Sequence, residues 1–421
     1  MLFHGAVGAF GLVLLIDGLL RGEVRHQAVA VALGAVLMLP LAMISVGGER
    51  ALKLCNRLAF SFATVALLGI GLEVAARALD LRVFNYPEVV TDPILGHAYV
   101  PNRGGHDAWG HRNPRVPESA DVVCIGDSQT FGTNVRRDEN YSSVLARTSG
   151  REVYNMSVGG YGPLQYVELA KRSLQLEPEL VTIGYYLGND IPDGHRFLGL
   201  DTWADLRDPN LAYTHQDDAN YGDKSSPNIA MWLADSLMLR SLVLRRIGSD
   251  LKLAAKLNPT LHGAVGSTKT GMPFEAGAIS TRLKPRLRIG CVDLSLPHVQ
   301  DGFRITQHCF EELRAMFAEA DVKAAVLLIH NKSYYYHKVM TLRGETIPPL
   351  VIQLAELEEI LTARIAEVAA AAGMIVVDPT DRLVETLVGG VPIFPPDGDV
   401  HLNRRGNEIA GRALAQALAT L

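Results

Sequence analysis

The sequence predicts a doubly wound α/β domain, a parallel sheet covered by helices on both faces, carried behind an apolar segment of three membrane-spanning helices. Two observations point there. From Leu81 onward, short β-branched runs alternate with stretches of helical periodicity, the pattern of βαβ units. Before Leu81 the chain is apolar in three long stretches, with only 11 charged residues over positions 1–80. A third observation bounds the answer: 421 residues exceed one small domain, and 48% hydrophobic against 20% charged residues excludes wholesale disorder.

The membrane elements come first. Residues 1–20 are apolar apart from Asp17, residues 28–47 hold no charge, and residues 58–79 carry Glu73 and Arg77 in their last turns. A bilayer core needs about 20 apolar residues in a helix, so each stretch is long enough. A cleaved signal peptide accounts for one such stretch, not three, and the first lacks a basic leader. A buried helical hairpin is the alternative, and the uncharged length of 28–47 argues against it. Asp17 lies close enough to Arg21 to sit at an interface, away from the costly bilayer centre. The loop 48–57 carries Arg50, Lys53 and Arg57; on the cytoplasmic side it leaves everything after the third helix facing out. Three full spans put Arg21 and Arg25 on the opposite face, so the positive-inside bias is slight. The expectation is a multi-pass protein of the cytoplasmic membrane, its anchor at 1–80 in the lipid bilayer and residues 81–421 outside. In an oxidising compartment Cys291 and Cys309 are the candidate disulfide pair, with two unpaired thiols as the alternative.

In the outward domain, residues 122–125, 152–156, 180–187, 324–330 and 374–378 read as buried strands. Residues 163–176, 303–320, 348–372 and 404–421 read as helices. Right-handed crossovers assemble such units into a three-layer sandwich whose site lies at the carboxyl ends of the strands. Residues 191–302 break the pattern, being polar and interrupted by Pro and Gly, with one helical segment near 230–246. They read as an insertion, placed as a cap over the site.

Several function classes drop out. Net charge is −5 and no Lys/Arg block reaches five residues, so the basic footprint of a nucleic-acid binder is missing. Four Cys without C-x-x-C spacing exclude a disulfide mini-scaffold and a Cys-rich zinc site. No Gly-x-Ser-x-Gly elbow, Walker loop or His-Glu-x-x-His is present. Ser249 and Lys252 match Ser-x-x-Lys without the companion penicillin-binding motifs. His330 and His337 flank a polar run at a spacing unlike a metal-ligand pattern, so it reads as a polar loop. Tyr334, Tyr335 and Tyr336 read as packing, with a sugar platform as the alternative. No metal or cofactor is expected.

The chemistry gathers at four places. Residues 122–132 read Val-Val-Cys-Ile-Gly-Asp-Ser-Gln-Thr-Phe-Gly: a buried strand ends at Gly126, and Ser128 follows at the start of a helix. Gly126 permits a tight turn, and the helix N-terminus leaves free backbone N–H groups beside Ser128. A Ser there is a candidate nucleophile whose own N–H helps hold an oxyanion, or a plain N-cap. Asn155-Met-Ser-Val-Gly-Gly160 offers a glycine N–H after the second strand, and Gly188-Asn189-Asp190 a carboxamide after the third. Asp397-Gly-Asp399-Val-His401-Leu-Asn403 precedes the last helix. Together they supply an acyl-transfer site on one rim of the sheet. Ser128 attacks, His401 takes its proton, and a carboxylate beside His401 orients the ring. Ser128 N–H, Gly160 N–H and the Asn189 side chain receive the oxyanion. Asn189 as a strand-end cap and His401 as an ordinary loop histidine are the alternatives.

These four blocks resemble the SGNH/GDSL hydrolase superfamily, named for such Ser, Gly, Asn and His residues. The resemblance covers about 93–421, the insertion excepted. Gly-Asp-Ser alone is common; Gly-Asp-Ser-x-Thr-Phe-Gly followed in order by Asp-x-His-Leu-Asn is specific. The resemblance implies a flavodoxin-like three-layer sandwich and ester hydrolysis or acyl transfer without a metal. The family often has Asp three residues before the His, where this chain has Gly398. Asp399 fits the Asp-x-His variant of bacterial relatives that modify polysaccharides, and Asp397 is the alternative acid.

The expected protein is therefore a serine esterase working through a Ser128 acyl-enzyme on O-acyl groups, acetyl first, of a cell-envelope polysaccharide. Its substrate class is an acylated carbohydrate or another ester. One alternative is an O-acyltransferase fed by a membrane acyl-donor protein, with Asp17 and Glu73 in the spans as the hint of such a partner. The other is a non-catalytic glycan-binding or envelope-assembly protein that keeps the fold.

Overall fold

A computed structural model describes residues 89–213 and 271–419, apart from 103, 104, 134, 277 and 278, and scattered helical positions between 53 and 72. The first two expected membrane spans, most of the third, the expected helix near 230–246, Ser249 and Lys252 lie outside the described residues. Residues 67–72 are helical, with Leu67, Leu68, Ile70 and Leu72 each 58 to 69% exposed. Among the described residues no helix is long and apolar enough to cross a membrane. The chain divides into two compact units, and every element labelled below belongs to the one formed by 82–222 and 247–421.

That unit opens with an antiparallel hairpin, β1 (Val89–Asp92) and β2 (Gly96–Tyr99). The chain continues through β3 (Val122–Gly126), α1 (Ser128–Phe131), α2 (Tyr141–Ser149), β4 (Val153–Ser157), α3 (Pro163–Ser173), β5 (Leu180–Tyr186) and α4 (Asp190–Phe197). A second hairpin, β6 (Met272–Ala276) and β7 (Ile279–Leu283), leads into α5 (Pro285–Val292) and α6 (Pro297–Ala320). The unit closes with β8 (Lys323–Ile329), α7 (Lys332–Arg343), α8 (Pro349–Ala371), β9 (Ile375–Val377), α9 (Thr380–Val388) and α10 (Arg404–Leu418).

Five parallel strands form the central sheet in the order β4-β3-β5-β8-β9. This is the doubly wound, flavodoxin-like order, and its switch point lies between β3 and β5. Alternation along the strands explains the layers. Val123, Ile125, Val181, Ile183, Val326 and Leu328 face one core with α3, α4, α6 and α8. Val122, Cys124, Leu180, Ala325, Leu327 and Ile329 face the other with α2, α7, α9 and α10. Strands covered on both faces must be apolar at every position, which is why they stand out as continuous runs.

The structure corrects two expectations and decides one alternative that the sequence left open. The stretch 191–302, read as an insertion, begins and ends in the core: α4 buries Ile191 and Phe197, and α6 starts at Pro297 rather than at 303. Helix α4 and the start of α6 escaped the periodicity because they are polar and begin with or contain Pro, which is tolerated in a first turn. The two helices touch backbone to backbone, since a Cβ on Gly302 would collide with the Ile191 carbonyl. Residues 330–337 are not a polar loop. They run into α7, where Tyr334, Tyr335 and Tyr336 are all buried, so they pack and do not form a sugar platform. Cys291 and Cys309 are free thiols, with Cys309 turned into the core beneath the sheet.

Two predictions follow from this packing. Gly126 and Gly184 face each other across β3 and β5. A Cβ on either would collide with Thr130 Oγ1, which hydrogen-bonds Tyr141 Oη at 2.8 Å. Gly184→Ala should lower stability by about 1–3 kcal/mol, read by urea unfolding. His330 Nδ1 lies 3.1 Å from buried Glu358 and its Nε2 3.5 Å from Asp378. Burial alone would lower the imidazole pKa, but these carboxylates outweigh it and raise it to about 9. An unfolded histidine titrates near ~6.5, so this ion pair stabilises the fold fully below that pH and is lost as pH rises through about 9. Melting temperature should fall over that window, and the fall should be reduced in His330→Gln.

Candidate active site

The turn that carries Ser128 is built at the end of β3. Asp127 is the N-cap of α1, its Oδ1 accepting the Gln129 N–H at 2.8 Å. Ser128 is therefore the first helical residue and not the cap, which leaves its hydroxyl for other work. Ser128 Oγ lies 2.8 Å from His401 Nε2, and Asp127 Oδ2, at 3.3 Å, is a weaker alternative acceptor. His401 Nδ1 lies 2.7 Å from Asp399 Oδ1, which also accepts the His401 backbone N–H at 3.0 Å. A proton on Nδ1 shared with the carboxylate leaves Nε2 as the acceptor for the serine O–H. Asp397 Oδ1 takes the Asp399 N–H at 2.9 Å. Of the two candidate acids, Asp399 stands at hydrogen-bonding distance from His401 Nδ1, and Asp397 holds the Asp399 N–H.

The expected oxyanion donors stand on adjacent strand ends. Gly160 follows β4 with φ +82, and neither its N–H nor that of Ser128 has a hydrogen-bond acceptor among the described residues. Asn189 follows β5 at the start of α4, but its side chain does not cap the helix. Its Nδ2 donates to Asp193 Oδ2 at 2.7 Å, and Oδ1 is buried without a partner among the described residues. The carboxamide is thus held by a carboxylate. Burial raises the pKa of Asp127, and raises Asp193 to about 7 against the pull of Arg196. Burial likewise raises Asp190, which accepts hydrogen bonds from Tyr186 N–H and Tyr166 Oη.

Several supporting residues were not legible in the sequence. Gln129 donates through Nε2 to Val400 O at 3.1 Å and accepts the Leu402 N–H at 3.3 Å, bracketing His401 from the helix that carries Ser128. Lys332 is 2% exposed, and its Nζ donates to the carbonyls of Pro395 (3.0 Å), Asp397 (2.7 Å) and Asp399 (3.1 Å). Burial lowers its pKa to about 7, opposed by Asp397 and Asp399. Three carbonyl acceptors match the three donors of an ammonium. Thr281 on β7 reaches two of the same carbonyls at 3.2 Å. A lysine beside an aromatic run was the only signal, and it does not name partners some 65 residues away. Among the described residues no group of three or more His, Cys, Asp or Glu is placed to hold a metal ion.

No protein-family model and no curated protein matches the chain. Among solved structures it is similar to a Desulfitobacterium hafniense protein assigned to the G-D-S-L family of lipolytic proteins, at 12% identity over 70% of this chain and 98% of that one, with a TM-score of 0.31. A GDSL-like lipase from Bacteroides thetaiotaomicron is 12% identical over 71% of this chain and 87% of its own, with a TM-score of 0.29. Likeness at this level adds no argument to the site, which stands on its own distances.

The two aspartates make a direct test. Asp399→Asn should lower kcat on an activated ester by about 10⁴, as loss of the orienting acid does elsewhere. Asp397→Asn keeps an acceptor for the Asp399 N–H and should stay within about tenfold of the parent. Reversed magnitudes would exchange the two roles.

Proposed function

We propose that this domain is a serine esterase of the SGNH/GDSL type, acting through an acyl-enzyme on Ser128. The observation that carries the reading is the chain of contacts from Ser128 Oγ to His401 to Asp399, at 2.8 and 2.7 Å, beside a Gly160 N–H that has no acceptor among the described residues. Ser128 Oγ attacks the acyl carbon while His401 Nε2 takes the hydroxyl proton. Charge developing on the carbonyl oxygen is met by the N–H of Ser128, the N–H of Gly160 and the Asn189 carboxamide. The C–O bond to the leaving alcohol breaks as His401 returns the proton to it. A water, or another hydroxyl, then takes the acyl group from Ser128 by the same steps in reverse. Water as acceptor gives an esterase, and a sugar hydroxyl gives an O-acyltransferase.

The substrate we favour is an O-acetylated polysaccharide of a bacterial cell envelope. What supports it is the run of apolar stretches over residues 1–80, each of a length suited to an anchor in the cytoplasmic membrane. The exposed Leu67, Leu68, Ile70 and Leu72 suit contact with lipid. A membrane acyl-donor protein is the partner a transferase would need.

Labelling with a fluorophosphonate, read by intact mass, tests the nucleophile. The full-length protein should be modified once, and Ser128→Ala not at all. Asn189→Ala should slow ester turnover by about 10²–10³. A folded parent that resists the reagent would favour the glycan-binding reading.

A further inference from the structure

Gly160 is a swivel in the middle of the oxyanion site. Without a Cβ, and at φ +82, its backbone is free to rotate unless something holds the peptides on either side. Both are held. The peptide that carries the Gly160 N–H has the Gly159 carbonyl at its other edge, and in a planar trans peptide these two groups point in opposite directions. His97 Nε2 lies 2.9 Å from that Gly159 oxygen. On the far side, Arg196 Nη2 donates to the Gly160 carbonyl at 2.9 Å. His97 is itself seated, with its carbonyl accepting from Tyr161 Oη at 2.5 Å and its ring 5.1 Å from the Tyr161 ring. Tyr99, also on β2, accepts the Gly159 N–H at 3.0 Å.

Arg196 links this brace to the side-chain donor, Asn189. It pairs with Asp193 Oδ1 at 3.1 Å, while Asp193 Oδ2 accepts from Asn189 Nδ2 at 2.7 Å. One carboxylate thus ties a donor at the end of β5 to a donor at the end of β4. Resting on the serine-esterase reading, we propose that His97, Arg196 and Asp193 are positioning residues of the oxyanion hole. His97 and Arg196 lock the Gly160 peptide from behind, and Asp193 couples its setting to that of Asn189. Each acts through another group, aiming donors before charge develops, so its contribution belongs to the transition state.

The test uses the full-length protein and p-nitrophenyl acetate, with kcat, KM and melting temperature measured for each variant. His97→Phe and Arg196→Met should each lower kcat by about tenfold or more, short of losing a donor outright, with KM little changed. His97→Gln keeps an N–H donor near the same place and should recover part of the loss. Asp193→Asn should lower kcat less in an Asn189→Ala background than alone, because the donor it orients is already gone. Parent-like kcat in both His97→Phe and Arg196→Met, with Ser128→Ala inactive, would overturn the brace while leaving the esterase. So would a loss explained by unfolding, in which the folded fraction keeps the parent kcat. A parent that neither hydrolyses the ester nor takes up fluorophosphonate at Ser128 sinks the esterase reading, and the brace with it.

Discussion

The pairing of Gly126 with Ser157 on one side and Gly184 on the other brings three parallel strands to a common level. The whole candidate site depends on that register. The nucleophile turn, the glycine loop and the asparagine loop leave the sheet side by side because their strands end side by side. Parallel strands with helical crossovers place such loops on the same rim as a matter of topology. The two glycines also leave room for Thr130 and Tyr141 to meet under the turn. The strand ends therefore set where Ser128 stands before any catalytic contact is made.

The fourth loop arrives from far away. Ser128 and His401 are 273 residues apart, and their contact of 2.8 Å needs the 395–402 segment to be held independently. Gln129 grips it from the nucleophile helix, Lys332 and Thr281 from beneath, and Asp397 from within. None of these touches the serine hydroxyl. They fix the aim of His401 by fixing the backbone that carries it, which is the usual condition for a preorganised site.

Local patterns carried the sequence reading a long way. The five sheet strands announced themselves as apolar runs, and Ser128, Gly160, Asn189, Asp399 and His401 by their places at element ends. What stayed hidden was non-local. Gln129, Lys332 and His97 touch partners that no spacing rule connects, and Arg196 reaches the Gly160 carbonyl 36 residues away. Helix α4 stayed hidden for a different reason: Asp-Ile-Pro-Asp-Gly-His-Arg-Phe is polar and holds Pro and Gly, yet Gly194 and Gly302 let it pack closely against α6. Composition suggested a loop, and tertiary packing made a helix of it. The choice between Asp397 and Asp399 likewise needed coordinates, since both stand within reach of His401 in the sequence.

A crystal structure of the phosphonylated protein would test the central claim most directly, because the adduct places an anionic oxygen where the acyl oxygen would stand. The convergence of the three strand ends requires phosphorus on Ser128 Oγ and that oxygen within hydrogen-bonding distance of Ser128 N, Gly160 N and Asn189 Nδ2. A phosphoryl oxygen turned to solvent, with Gly160 and Asn189 out of reach, would contradict it.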